Sequence, residues 1–411
     1  MKLSPRLLNV SISLLSLALS LVAVEVGLRF AASPCSEMLM ERGLELHDRY
    51  FVPDPVLALR RRPNTDFYFR MEERKSGFVH FVTNNQALRR IGDTTFEKLP
   101  GTRRILALGD SHVDGVVDNE ENLTTLLEAR LNRPDEKKGL RWQVLNAAVG
   151  SYSPYQNYLW YRETGKRYDP DLVLLTFYLG NDLAELATED RPRLVERDSQ
   201  FVETAPSAGS VPNELAQKES LLTRLDRAAT KNSYVYSRSK NLARRLVSRI
   251  RGGSASTQPV IDPFGCVAQS LGQVSWSKNH QDYSRNLAAF GEILKRMRAE
   301  VEPGGGRLWL VLLPSRLHVE PELDRDRISE VSKALGLSPK DLEFENRLTL
   351  DLTHLGKSLD VPVLDLGPAF RAAHRREQQA LYYQTDWHIN TLGHQVAAEA
   401  IYAELQRSGL Q

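Results

Sequence analysis

The chain has 411 residues, 54 of them Lys or Arg and 52 of them Asp or Glu, so its formal net charge at pH 7 is +2. This length allows one large domain with additions or two domains. The near-neutral net charge does not indicate any particular binding partner, and no nucleic-acid partner is expected. The two cysteines, Cys35 and Cys266, exclude a disulfide framework and a cysteine-only metal site, and their pairing is left open.

The N-terminus predicts attachment to a membrane. Lys2 and Arg6 precede an apolar stretch at residues 7–24, and about 18 such residues are enough to cross a bilayer as a helix. Positive charge before the stretch favours a chain delivered outside the cytoplasm, to the periplasmic or extracellular side. We expect residues 1–31 to form a cytoplasmic tip and signal anchor. A cleaved signal peptide is the alternative, although Pro34 would follow its best cleavage site.

Residues 32–100 are predicted to form a stalk and a lead-in to the main domain. Pro53, Pro55 and Pro63 interrupt this stretch, and residues 78–83 alternate weakly, as an edge strand does.

Strand-like and helix-like patterns alternate from residue 101 to residue 411. Buried strands are predicted at residues 105–108, 144–146, 172–177, 308–313 and 361–366, and helices around 123–131, 287–297 and 392–401. This alternation predicts an α/β fold of three layers, with helices on both faces of a mostly parallel, five-stranded, flavodoxin-like sheet. A helical insertion is expected at about 187–275. Its basic run at 238–251 is interpreted as an amphipathic helix capping the domain, with a helix on an anionic membrane or glycan as the alternative.

Ser111 lies in a glycine-flanked turn, residues 109–115, directly after the first of these strands. Such a turn leaves the serine hydroxyl exposed at the edge of the sheet. Because serine is a poor nucleophile unless a base removes its proton, the chain must supply one elsewhere.

A base and its partner occur together near the other end of the chain. His388 follows Asp386 by two residues, just before the last predicted helix. An imidazole acts as a base near neutral pH, and a carboxylate fixes its tautomer and stabilises the imidazolium that forms. Asp386, His388 and Ser111 are therefore candidate catalytic residues.

Candidate donors for a negatively charged oxygen follow two other strands. Asn181 comes after the strand at 172–177, and Gly150 and Ser151 come after the strand at 144–146. An asparagine amide and the backbone N–H groups of a turn suit the oxyanion of acyl transfer.

In their order along the chain, these four segments resemble the blocks of the SGNH (GDSL-like) hydrolase superfamily over roughly residues 84–401. The resemblance implies that Ser111 attacks an ester carbonyl, with His388 as base and Asp386 as its acid partner. It also implies an oxyanion hole formed by the Ser111 backbone N–H, the N–H of Gly150 or Ser151, and the Asn181 side chain. Ser151 stands where the family usually has glycine, and which of the two neighbouring residues donates is left open.

Other candidate mechanisms fit less well. The nucleophile elbow of α/β-hydrolases needs glycine where Val113 stands, and the nine histidines show no H-E-x-x-H metal motif. No cofactor or metal is expected. Structural roles are assigned to the remaining polar residues near these segments, namely Asp110, His112, Asp114, Asp182, Arg316 and His394.

The sequence therefore predicts a membrane-anchored, extracytoplasmic serine esterase that acts on carboxylic, O-acetyl esters of a glycan or small substrate. An O-acyltransferase that moves acetyl groups onto a cell-envelope or exported polysaccharide uses the same residues and is the first alternative. A non-catalytic envelope scaffold is the second. The oligomeric state is not indicated by the sequence.

Overall fold

The structure is a computed structural model. It describes residues 49–133, 141–205 and 266–410, with gaps at 72 and 199, together with residues 19–27 and a few isolated positions. The basic run at 238–251, most of the N-terminal segment and Cys35 lie outside the described residues, so the predictions made for them stay predictions. Among the described residues, none of the helices is long and apolar enough to cross a membrane.

The strands of the described residues are β1 (Phe51–Asp54), β2 (Ala58–Arg61), β3 (Asp66–Arg70), β4 (Phe78–Val82), β5 (Thr102–Leu108), β6 (Arg141–Asn146), β7 (Leu172–Tyr178), β8 (Arg193–Arg197), β9 (Gln200–Thr204), β10 (Arg307–Leu313) and β11 (Val363–Asp365). The principal helices are α1 (Ser111–Asp114), α2 (Leu123–Leu131), α3 (Pro154–Glu163), α4 (Asp182–Glu185), α5 (Cys266–Trp276), α6 (His280–Val301), α7 (Arg316–Val319), α8 (Arg325–Ala334), α9 (Phe344–Ser358), α10 (Gly367–Glu377) and α11 (Thr391–Arg407). All five predicted sheet strands and the three predicted helices are confirmed, with shifts of a few residues at their ends.

One five-stranded sheet forms the centre of the protein. Its strand order is β11-β10-β7-β5-β6, and every neighbouring pair is parallel. Numbered along the chain within the sheet, this is the flavodoxin-like order, with its switch point between β5 and β7. The predicted sheet topology is confirmed.

Helices cover both faces of the sheet because successive strand residues point to opposite sides. In β5, Leu106 and Leu108 join one apolar core with α3, α6 and α9, whereas Ile105 and Ala107 join a second core with α2, α10 and α11. All seven residues of β7 are buried, as expected for a central strand covered on both faces. The architecture therefore has three layers.

The described part of the stalk and lead-in, residues 49–100, packs on the sheet domain. β1–β2 and β3–β4 form two antiparallel hairpins outside the main sheet. A third core joins aromatic and aliphatic residues of the lead-in to Val116, Val117 and Tyr383. Burial of these apolar side chains stabilises the packing of the lead-in on the sheet domain.

The insertion is only partly helical. It begins with the hairpin β8–β9 and ends with α5, so the prediction of a helical insertion is wrong for residues 193–204. Strand β9 shows little alternation of apolar and polar residues, which explains why the sequence pattern did not indicate this hairpin.

Candidate active site

Ser111 is the first residue of α1, which begins directly after the central strand β5. The intervening turn consists of Gly109 and Asp110. A Cβ on Gly109 would lie 2.7 Å from Val113 Cγ2, so glycine is required for α1 to fold back this closely. Asp110 caps α1 by accepting a hydrogen bond from the His112 backbone N–H at 2.9 Å. The turn presents the Ser111 hydroxyl at the switch point of the sheet, where open α/β folds place their ligands.

The structure brings His388 and Asp386 to Ser111. His388 Nε2 lies 2.8 Å from Ser111 Oγ, a hydrogen-bonding distance, although the two residues are 277 positions apart in the chain. Asp386 Oδ2 lies 3.3 Å from His388 Nδ1, and Asp386 Oδ1 accepts from the His388 backbone N–H at 3.0 Å. Nδ1 makes no aligned hydrogen bond, so the imidazole and the carboxylate are in electrostatic contact only. One carboxylate oxygen is already engaged by the backbone of the same short loop.

The loop that carries His388 is held from three sides. Glu73, in the lead-in, accepts hydrogen bonds from the backbone N–H groups of Gln384 at 2.7 Å and of the next residue at 2.8 Å. Arg316, at the start of α7, donates to the Gln384 carbonyl at 3.2 Å. Asn390 caps α11 by accepting from two N–H groups of its first turn. These contacts fix the position of the His388 ring relative to Ser111.

The N–H groups of Gly150 and Ser151, the two candidate oxyanion donors in the turn after β6, differ in their hydrogen bonding. Gly150 lies against Ser111, since a Cβ on Gly150 would be 3.7 Å from Ser111 Cβ, but its N–H donates to Asp114 Oδ2 at 3.0 Å. The N–H of Ser151 has no acceptor among the described residues. Ser151 adopts a φ of 73°, a left-handed conformation that favours glycine. The N–H of Ser151 is therefore free to donate, whereas that of Gly150 is occupied by Asp114.

Asn181 lies in the turn after β7, the strand next to β5. Its side-chain amide donates one hydrogen bond to Glu185 Oε1 at 2.9 Å, and Arg191 holds the other Glu185 oxygen at 2.6 Å. Among the described residues, Asn181 makes no hydrogen bond to Ser111 or His388. Because an amide NH2 has two hydrogens, one remains for an oxyanion while Glu185 fixes the orientation of the group.

Two aromatic rings that the sequence left as structural or unnoticed form a wall of the site. His112 packs on Tyr178, with ring centroids 3.8 Å apart, and its ring centroid is 4.8 Å from that of His388. Burial lowers the pKa of His112 well below its usual range, so the ring is neutral beside the base. Gly180 permits this arrangement, because a Cβ there would lie 2.6 Å from the Tyr178 ring. A histidine next to the serine was the only sequence signal.

Asp114 connects the site to the lead-in, which the sequence did not indicate. Tyr50 Oη donates to Asp114 Oδ1 at 2.6 Å, and the buried guanidinium of Arg61 lies 3.4 Å from the same oxygen. Arg89, also buried, is 3.8 Å from it. The other oxygen accepts from Gly150. One carboxylate, three residues after Ser111, thus holds the β6 turn and the lead-in against α1.

Two buried carboxyl groups lie close to the site and take no part in the contacts of Ser111 with His388. Burial raises the pKa of the Asp110 carboxyl to about 7 and that of Asp182 well above its usual range. The nearby carboxyl of Glu185 raises both pKa values further, and Asp110 also raises that of Asp182. Asp110 Oδ2 and Asp182 Oδ1 have no hydrogen-bond partner among the described residues. Keeping these carboxyls protonated avoids unpaired buried charges.

Replacement of Asp110 by Asn is expected to stabilise the protein increasingly as the pH rises from about 4 to about 7. In this window the folded protein keeps a proton on Asp110 that the unfolded chain has lost, so the wild type loses stability with rising pH. The expected difference is on the order of 1.4 kcal/mol for each unit by which the pKa is raised. Melting temperatures of both proteins across this range measure it, and parallel curves would contradict the assignment.

A protein-family model matches the C-terminal third of the chain. Residues 274–411 match a family model described as the SGNH hydrolase-like domain of the acetyltransferase AlgX. The match includes Asp386 and His388 and begins after the other candidate residues. A search of curated proteins gives no match.

Several solved structures resemble the chain at low sequence identity. The acetyl xylan esterase AlAXEase has 11% identity and a TM-score of 0.38, with 74% of this chain and 99% of that chain covered. A lipase/acylhydrolase from Enterococcus faecalis has 13% identity and a TM-score of 0.34, with 74% and 96% covered. A two-domain esterase active on acetylated mannans, CEX, has 10% identity and a TM-score of 0.35, with 75% and 50% covered. These values are too low to support an inference about function.

Proposed function

We propose that the chain is a serine enzyme that cleaves carboxylic, O-acetyl esters through an acyl-enzyme, a proposal supported by the match of residues 274–411 to the model of an SGNH hydrolase-like domain. The observation that carries the proposal is the 2.8 Å contact between Ser111 Oγ and His388 Nε2, with Asp386 on the far side of the imidazole. The three groups lie in the spatial order that a nucleophile, its base and the group that orients the base require, which supports the proposal.

In the proposed mechanism, His388 Nε2 takes the proton from Ser111 Oγ as this oxygen attacks the ester carbonyl. The N–H groups of Ser111 and Ser151 and the free amide hydrogen of Asn181 donate to the oxygen that becomes negative. Collapse of the tetrahedral intermediate breaks the ester bond, and His388 gives its proton to the departing alcohol. The acyl group then remains on Ser111. His388 next removes a proton from the acceptor hydroxyl, whose attack frees the serine.

The acceptor decides the type of reaction. Water makes the protein an esterase, and a sugar hydroxyl makes it an O-acyltransferase. The transferase is supported by the family description, which names an acetyltransferase. We propose that a carbohydrate is the acylated substrate of the esterase or the acceptor of the transferase. We further propose that residues 1–31 anchor the protein in a membrane and that its catalytic part lies outside the cytoplasm, because of the charge and length of the N-terminal apolar stretch.

The full chain, purified in detergent, tests the proposal. It is incubated with p-nitrophenyl acetate, with and without a neutral pentasaccharide acceptor, beside the Ser111→Ala variant. Nitrophenolate release without acceptor that disappears in Ser111→Ala is expected of the esterase, and acetylated pentasaccharide in the mass spectrum is expected of the transferase. Equal release by both proteins would contradict an enzymatic role for Ser111 and favour the alternative of a non-catalytic envelope scaffold.

A further inference from the structure

A cavity lies at the same edge of the sheet as Ser111. Its volume is about 310 Å³, which is at the small end of the range for ligand pockets, roughly 300–1,000 Å³. It is formed by the segments that follow β7, β10 and β11 together with one side of α9. Three apolar side chains line it together with five polar ones, which are His318, Asn346, Thr349, Asp365 and Arg371.

The sheet order places this cavity on the far side of β7 from Ser111. Ser111 follows β5, whereas in the cavity wall Leu179 follows β7, Pro314 follows β10 and Asp365 is the last residue of β11. Neighbouring strands are about 4.8 Å apart, so the cavity centre lies roughly 10–14 Å from Ser111 along the edge. A ligand that extends along this edge can occupy both places.

Two cationic side chains of the cavity, Arg371 and His318, act on the buried carboxyl of Glu345 only through longer-range electrostatics. Neither the Arg371 guanidinium nor the His318 ring makes a hydrogen bond or ion pair within the described part of the chain. Asp365 Oδ1 accepts from the Gly367 N–H at 2.8 Å, which leaves its second oxygen as an acceptor. A Cβ on Gly367 would lie 2.9 Å from Arg371 Nη1, so glycine lets the guanidinium lie over the first turn of α10. Donors and an acceptor therefore converge on the cavity.

Helix α9 supplies the opposite wall. Asn346, Thr349 and Leu350 lie on one side of the helix, at the spacing of neighbours on a helix surface. Leu350 is 60% exposed, so an apolar surface stands beside the polar groups. Ligands with both hydroxyl groups and an apolar face match such a wall.

We propose that this cavity is a subsite for a sugar ring of the substrate or acceptor, remote from the ester that Ser111 attacks. The hydroxyls of the ring bond to Arg371, Asp365 and Thr349, and its apolar face rests on Leu350. An acyl chain would leave five polar side chains unsatisfied on desolvation, which disfavours a lipid in this place. This inference rests on the proposed function only in taking Ser111 as the residue that attacks the ester. Binding of the sugar ring itself requires no turnover.

Binding is measured by calorimetry with the full-length Ser111→Ala protein, which holds the ligand without turnover. The probes are cellopentaose, xylopentaose, mannopentaose and pentagalacturonate, which separate neutral from acidic sugar rings. We expect at least one to bind, Thr349→Trp to abolish that binding by filling the cavity, and Arg371→Ala to weaken it about tenfold or more. Lys357→Trp, exposed in the last turn of α9, is the matched control and should bind as its parent does.

Turnover of p-nitrophenyl acetate, which contains no sugar, separates this inference from the proposed function. With Ser111 intact, Thr349→Trp and Arg371→Ala should leave that turnover unchanged. Absence of turnover in the parent protein contradicts the proposed function, whereas the calorimetry still decides the subsite. No binding of any pentasaccharide, or binding that Arg371→Ala and Thr349→Trp leave intact, overturns the subsite.

Discussion

Substitution of Ser111 or of His388 by Ala is expected to lower kcat for ester turnover by about 10⁶, and the double variant by no more than either alone. The effects do not add because His388 acts on the reaction only through the proton of Ser111 Oγ, which it contacts at 2.8 Å. Nitrophenolate release by the three variants, measured at saturating substrate, gives the comparison.

Matched controls for these variants lie on α9. Ser358→Ala and His354→Ala replace exposed residues of the same types and should keep the parent activity. A double variant that loses activity by the product of the two single effects would show that Ser111 and His388 act independently. Such a result contradicts the proposed mechanism even if both residues are needed.

Substitution of Asp114 by Ala is expected to lower the free energy of unfolding by about 3–5 kcal/mol, the usual cost of breaking a buried ion pair. The side chains of Arg61 and Arg89 are 2% and 0% exposed. In the variant, both guanidinium groups would therefore lose their carboxylate counter-ion without being solvated by water. The turn at Gly150 also loses its acceptor, so kcat should fall in the fraction of protein that remains folded. Urea unfolding followed by tryptophan fluorescence measures the stability.

The control for Asp114 is an ion pair on the surface. Asp360 pairs with Arg298 at 3.1 Å, and its side chain is 90% exposed. Asp360 has a φ of 51°, which asparagine tolerates better than alanine, so Asp360→Asn removes the charge without adding strain. It should change stability by less than about 1 kcal/mol, since exposed pairs contribute little. A loss for Asp114→Ala no larger than for Asp360→Asn would mean that Asp114 does not hold the two buried arginines in solution.

The sheet and the core of the site are predictable from the sequence because local patterns encode them. Apolar runs such as residues 172–177 identify the strands, and the rule that sites follow strand ends places Ser111 and Asn181 at one edge. The pairing of Ser111 with His388 followed from the chemistry that serine needs, together with the family resemblance. The difference between Gly150, whose N–H donates to Asp114, and Ser151, which has a left-handed backbone, depends on a hydrogen bond and a backbone angle that no local pattern specifies.

The lead-in is the part that sequence patterns did not predict. Tyr50 and Arg61 reach Asp114 across 64 and 53 positions of chain, and such contacts leave no periodic signal. Prolines near Arg61 indicated loops, which is correct locally, but they give no information on what the intervening strands pack against. His112 was missed for a related reason, since its role depends on the ring of Tyr178 from another strand.

The hydrogen bonds that Glu73 accepts from the loop before His388 have a practical consequence for preparing this protein. A fragment cut at residue 101, where the sheet begins, would contain all the proposed catalytic residues yet lack the acceptor for two backbone N–H groups of that loop. It would also expose the apolar surface around Tyr383 that the hairpins cover. Shortened versions for crystals or assays should therefore start ahead of Tyr50.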